Sequence, residues 1–180
     1  MGKGIVEKLS REYPLDITWV GYELRPERAA EGEKLSNILP GADLKQVFAH
    51  YNQAALEYGI SINQVDFLPN THMALMATEF AKDLDMFEEF HSLVFKSFFT
   101  EGRDIGNSKV VVDLLVSLNV PREKAAAILN DPVYSDRVKK NRNDAVNFVA
   151  GLPTFIIENK KKIVGAQPLN VFRNILDSYH

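Results

Sequence analysis

The sequence predicts an α/β fold with a small mixed core, divided between the two ends of the chain and interrupted by a helical block. Three observations carry this. Apolar residues at 5, 6, 9 and 13 repeat at helical spacing and lead directly into a β-branched and aromatic run at 16–24. From Asp43 to about Val149 the apolar spacing is helical almost throughout. At residues 154–164 the period shortens to that of two strands, and one more helical pattern follows.

Each element has its own signal. Ile5, Val6 and Leu9 share one face of a first helix, with Tyr13 a turn later and Pro14 as its breaker. Residues 16–24 alternate through Ile17, Trp19 and Gly21 and are expected to form a strand. Residues 25–41 are polar and carry Pro26, Gly32, Pro40 and Gly41, which predicts a long loop. Asp43 caps a helix running to about Tyr58, with Gly59 as its stop. Asn70 opens a helix to Asp83, and Met86 to Phe99 continues with phenylalanines near helical spacing. Asn107 caps residues 110–118, while Pro121 and Pro132 each stand in the first turn of a further helix, the last reaching about Val149. Residues 154–158 and 162–164 form a hairpin across the Asn159–Lys162 turn, and Pro168 leads into a final helix with Val171, Phe172, Ile175 and Leu176 inward. The core is thus assigned to residues 1–42 and 150–180, and the helical insertion to 43–149.

Composition narrows the function. With 46% hydrophobic and 25% charged residues and a net charge of −3, the chain can bury a core and has no field that draws nucleic acid or anionic lipid. The three consecutive lysines at 160–162 fit a solvated turn. There is no cysteine, so disulfides, thiolate metal sites and a cysteine nucleophile are all excluded for these 180 residues. No apolar run is long enough to span a membrane and no signal peptide opens the sequence, which gives a cytoplasmic expectation.

Most candidate constellations are thin. Glu88-x-x-His91 has the spacing of carboxylate-bridged metal sites, but a single copy fits an exposed helix face better. His50, His72 and His180 have no partner at ligand spacing. No Gly-x-Ser-x-Gly or glycine-rich phosphate loop is present, and no Ser-His-Asp order stands out. The phenylalanines between Phe80 and Phe99 are expected to fill the core of the helical block. What remains is the turn Gly151, Leu152, Pro153 and Thr154, which follows the helical block and opens the hairpin.

Around that turn the sequence resembles a known family. The segments "GKGIVEKL" (2–9), "TWVGYELRPE" (18–27), "PNTHMALMATEFAK" (69–82), "EEFHSLVFKSFFTEGRDIG" (88–106), "GLPTFIIE" (151–158) and "KIVGAQPLNVF" (162–172) occur in order along nearly the whole chain. Together they are similar to the DsbA-like branch of the thioredoxin superfamily, of the FrnE type related to 2-hydroxychromene-2-carboxylate isomerase. The resemblance implies a thioredoxin-like core with a helical insertion. It also implies that residues 151–154 are a cis-proline loop, with Leu152 and Pro153 facing the substrate.

The resemblance also says what to miss. In that family a first strand ends in Cys-x-x-Cys, where the start of the next helix stabilises the attacking thiolate. Here the sequence opens with the helix under way, so that strand and both thiols are expected to be absent. The resemblance then implies a disulfide-oxidoreductase relative without redox activity of its own and with no cofactor. A non-catalytic protein binding peptides or low-molecular-weight thiols, or serving as a scaffold, is the alternative. A glutathione-linked isomerase relative is weaker, since Leu75-Met76 stands where many relatives have His-Arg. Without the first strand, residues 16–24 and 154–158 would present open edges, to be closed by direct pairing, a homodimer or a borrowed strand.

Overall fold

The computed structural model describes residues 1–179. Helix α1 (Gly2–Leu9) opens the chain and buries Ile5 and Leu9. After an extended stretch come β1 (Glu33–Lys34) and the short α2 (Leu35–Ile38). Asp43 caps α3 (Leu44–Ala55) by accepting from the Lys45 and Gln46 N–H groups, and Gly59 stops the following turn with φ 63°. A two-residue strand, β2 (Phe67–Leu68), pairs antiparallel with β1, which adds a small ladder to the helical block. Helices α4 (His72–Asp83), α5 (Phe87–Phe95), α6 (Ser108–Ser117), α7 (Arg122–Ala127) and α8 (Pro132–Ala145) follow. Asn107 and Asp131 accept from Lys109 and Val133 N–H, so the caps of α6 and α8 are side-chain built. The hairpin β3 (Thr154–Ile157) and β4 (Lys161–Val164) precedes α9 (Leu169–Leu176).

Apolar burial falls into two clusters. The larger gathers Phe80, Phe90, Phe98, Val111, Leu115 and neighbours from the helical block, joined by Leu35. The smaller packs Ile5 and Leu9 of α1 against Ile163 of β4 and Leu169, Phe172 and Leu176 of α9. The second cluster joins the two ends of the chain. At the protein surface Arg173 grips Glu12 through two bonds of 2.7 Å and Tyr13 donates to Asp177 at 2.7 Å, tying the end of α1 to α9. No helix among the described residues is long and apolar enough to cross a membrane.

The expected strand at 16–24 does not form. The segment is extended, but among the described residues its main chain makes no hydrogen bond to other main chain, and its one partner is a side chain: Lys82 Nζ donates to the Trp19 carbonyl at 3.0 Å. Strand β3 pairs with β4 alone, in the register Thr154↔Val164 to Ile157↔Lys161, so direct pairing of 16–24 with β3 is not the way the gap closes. The alternating side chains are right for a sheet, but a strand needs a ladder partner and, among the described residues, none pairs with it. The last insertion helix also stops sooner than its pattern suggests, at Ala145 rather than near Val149.

Candidate functional site

The Gly151–Thr154 turn stands where β3 begins, against the first turn of α1. Its shape is fixed by short contacts. Thr154 Oγ1 donates to the Gly151 carbonyl at 2.6 Å, and Gly165 N–H donates to the Pro153 carbonyl at 2.8 Å. The Leu152–Pro153 peptide bond is cis. Leu152 projects outward with 47% of its surface exposed, while Gly151, Pro153 and Thr154 are half-buried. Across the turn lies Gly2: a Cβ placed there would stand 3.0 Å from Pro153 Cβ and 3.8 Å from the Phe155 ring. The four predicted residues therefore form one turn, and the free N–H groups of the α1 amino end lie beside it.

The first turn of α1 is anchored to α5. Lys3 Nζ donates to Ser92 Oγ at 2.7 Å and lies 3.6 Å from both Glu7 and Glu88 carboxylates. Between α1, Ile17, Trp19 and Glu88 there is a cavity of about 290 Å³ with Val6 in its wall.

His91 corrects the expectation of an exposed face. Glu88 is exposed and pairs with Lys3, but His91 is 8% exposed within an aromatic box. Its ring lies 5.0 Å from Trp19, stacks on Phe87 at 5.0 Å and meets Phe95 edge-on at 4.5 Å. Burial, and then the charges of Lys3 and Lys82, push its pKa down to about 4, and Nδ1 has no hydrogen-bond partner. The ring is thus a neutral packing element. Among the described residues no three His, Asp or Glu side chains converge as metal ligands would.

Leu75 and Met76 are packing residues too. Met76 is 3% exposed, and a Cβ on Gly21 would lie 2.9 Å from Leu75 Cδ2. Position 75 therefore seats the extended segment on α4.

One constellation escaped the sequence reading. His72, the first residue of α4, places Nδ1 3.0 Å from Glu23 Oε1 and Nε2 3.0 Å from Ser135 Oγ. The partners lie 49 and 63 positions away, so no local spacing could have signalled them.

Comparison with known proteins settles the ancestry. Residues 1–177 match the DSBA-like thioredoxin domain. The chain belongs to the DsbA-like thioredoxin family. This DsbA-like chain is 24% identical over 182 residues to the uncharacterized protein YwbO of Bacillus subtilis (strain 168), covering 98% of itself and 88% of YwbO. Its fold is similar to that of a probable DsbA oxidoreductase, SCO1869 from Streptomyces coelicolor, with a TM-score of 0.87, 24% identity and coverage of 98% and 82% of the two chains. A 2-hydroxychromene-2-carboxylate isomerase structure matches with a TM-score of 0.70 and 16% identity, covering 98% of this chain and 87% of the other.

Proposed function

We propose that this DsbA-like chain binds an extended peptide or a low-molecular-weight thiol compound at the 151–154 turn, without thiol–disulfide turnover of its own. The observation that carries this reading is the apposition of the α1 amino end, through Gly2, to Pro153 in a chain with no cysteine. Thiol–disulfide exchange needs an attacking thiolate and a resolving thiol, and these 180 residues supply neither. What the arrangement keeps is a surface: the outward Leu152 side chain and the start of β3, whose second edge is unpaired among the described residues. Such an edge can add an extended peptide by main-chain hydrogen bonds while Leu152 contributes apolar contact.

The glutathione-linked isomerase reading has less behind it, because Leu75 and Met76 are committed to packing. The open edges also suit a homodimer, which sedimentation would reveal by a mass of two chains. We place the protein in the cytoplasm, a location that cell fractionation tests.

The binding experiment titrates fluorescent extended peptides and glutathione against the intact chain. Binding that falls at least about tenfold in Leu152→Asp, roughly 1.4 kcal/mol, is the expected result. Binding that ignores Leu152, or its absence for both ligand classes, overturns the site assignment. Insulin reduction by the same preparation would overturn the claim of no turnover.

A further inference from the structure

Glu23, His72 and Ser135 come from three different parts of the chain and meet in one line. Glu23 belongs to the extended segment, His72 to the first turn of α4 and Ser135 to the first turn of α8. The Glu23 side chain is 6% exposed and its carboxylate meets His72 Nδ1 at 3.0 Å. A carboxylate in that position accepts only, so it holds the proton of the imidazole on Nδ1. The lone pair of a neutral ring then lies on Nε2, 3.0 Å from Ser135 Oγ, and the serine hydroxyl donates to it. The order is carboxylate, imidazole, hydroxyl, with both links within the range of working nucleophile–base pairs. The His72 side chain is 28% exposed and Ser135 is half-buried, so the serine end is the more exposed and the carboxylate end the more closed.

The backbone near Ser135 adds a donor. Asp131 caps α8 by accepting from Val133 N–H at 2.9 Å, and Ser135 N–H reaches the Asp131 carbonyl at 3.4 Å. Between them the Tyr134 N–H has no partner among the described residues. An unpaired N–H in a helix's first turn, one residue from the hydroxyl, is a candidate for holding a developing oxyanion.

We propose that Ser135, His72 and Glu23 form an acyl-accepting site for small, unhindered esters, separate from the 151–154 turn. Ser135 Oγ attacks the ester carbonyl while its proton passes to His72 Nε2, and the carbonyl π pair moves to oxygen. When the tetrahedral intermediate collapses, the C–O bond to the alcohol breaks, and the leaving oxygen takes the proton from His72. Water then attacks the acyl-serine, giving a proton to His72. The acid is released as Ser135 recovers its hydrogen. Glu23 keeps the imidazole in the needed tautomer and stabilises its cation; it is a positioning residue. Ser135 lies on the first turn of α8 with half of its surroundings open, a setting that suits small activated esters.

The test treats the intact chain with a fluorophosphonate probe and maps the adduct by peptide mass spectrometry. Ser135 Oγ displaces fluoride from phosphorus, and the proton leaves through His72. Labelling concentrated on Ser135, abolished in Ser135→Ala and slowed at least tenfold in His72→Gln and Glu23→Gln, is the expected result. A burst of p-nitrophenol from p-nitrophenyl acetate, equal to the labelled fraction, is expected alongside. The wild-type readout needs no variant to fold. No adduct on Ser135, or equal labelling of several serines, overturns the proposal. So does a Ser135 rate unchanged in folded His72→Gln, which would leave the three side chains as a tie between elements.

Discussion

Gly4 and Tyr58 approach so closely that a methyl group on Gly4 would stand 2.6 Å from Tyr58 Cβ, with Ile60 Cδ1 at 3.0 Å. This lets α1 seat against the chain that leaves α3. Gly4→Ala gains about 1 kcal/mol of helix propensity, but overpacking costs about 1–3 kcal/mol. Tyr58 Cβ is fixed by its own backbone, so the expected net is a loss of about 1 kcal/mol. Urea denaturation should show a lower midpoint at unchanged slope; a higher midpoint would mean that Tyr58 gives way.

His91 makes stability depend on pH. An unfolded histidine titrates near 6.5, whereas the aromatic box and the nearby Lys3 and Lys82 bring this one down to about 4. Below 6.5 the unfolded chain binds a proton that the fold refuses. Stability is therefore lost as pH falls from 6.5 to about 4, by an amount on the order of 1–3 kcal/mol. Denaturation of His91→Phe across this window should show a flatter profile than wild type. Parallel profiles would rule out His91 as the source.

Phe172 is the largest wholly buried side chain of the smaller cluster, 1% exposed and edge-on to Phe155 at 4.8 Å. Phe172→Ala should cost about 3–5 kcal/mol, a large share of the 5–15 kcal/mol typical of a folded chain. Phe90 lies in the other cluster and shares no cluster with Phe172. Where the double variant still folds, its loss should equal the sum of the singles within about 0.5 kcal/mol, and a larger deviation would show coupling between the clusters.

The β3–β4 turn contains Glu158 and Asn159 at φ 51° and 53°. Asparagine tolerates the left-handed region, whereas glutamate is held there against the clash of its Cβ. Glu158→Gly should raise stability by roughly 0.5–1 kcal/mol, read as an upward shift in melting temperature. An unchanged melting temperature would mean that the turn relaxes at little cost.

The sequence was most legible where chemistry is local. Asp43, Asn107 and Pro132 mark helix starts because a cap or a missing N–H acts within its own turn. The Phe-rich stretch predicts core, and Phe80, Phe90 and Phe98 are buried, but Phe95 and Phe99 remain 39% and 37% exposed because Phe95, Phe98 and Phe99 stand too close in sequence for all three to face the same way. The turn at 151–154 could be located from its neighbours in sequence. Residues 16–24 show the limit: alternation describes a strand's side chains, while a ladder depends on what lies alongside. Glu88-x-x-His91 failed similarly, since the burial of His91 comes from Trp19, far away in sequence, as well as from Phe87 and Phe95.

The extended segment is held by its side chains: Leu75 meets Gly21, Lys82 reaches Trp19 and His72 takes Glu23. Among the described residues its amides have no hydrogen-bond partner. Position and protection thus come apart, and deuterium can enter this stretch as fast as into a loose peptide while every anchor stays in place. A probe of shape would report the segment as ordered, and a probe of amide exchange would report it as open.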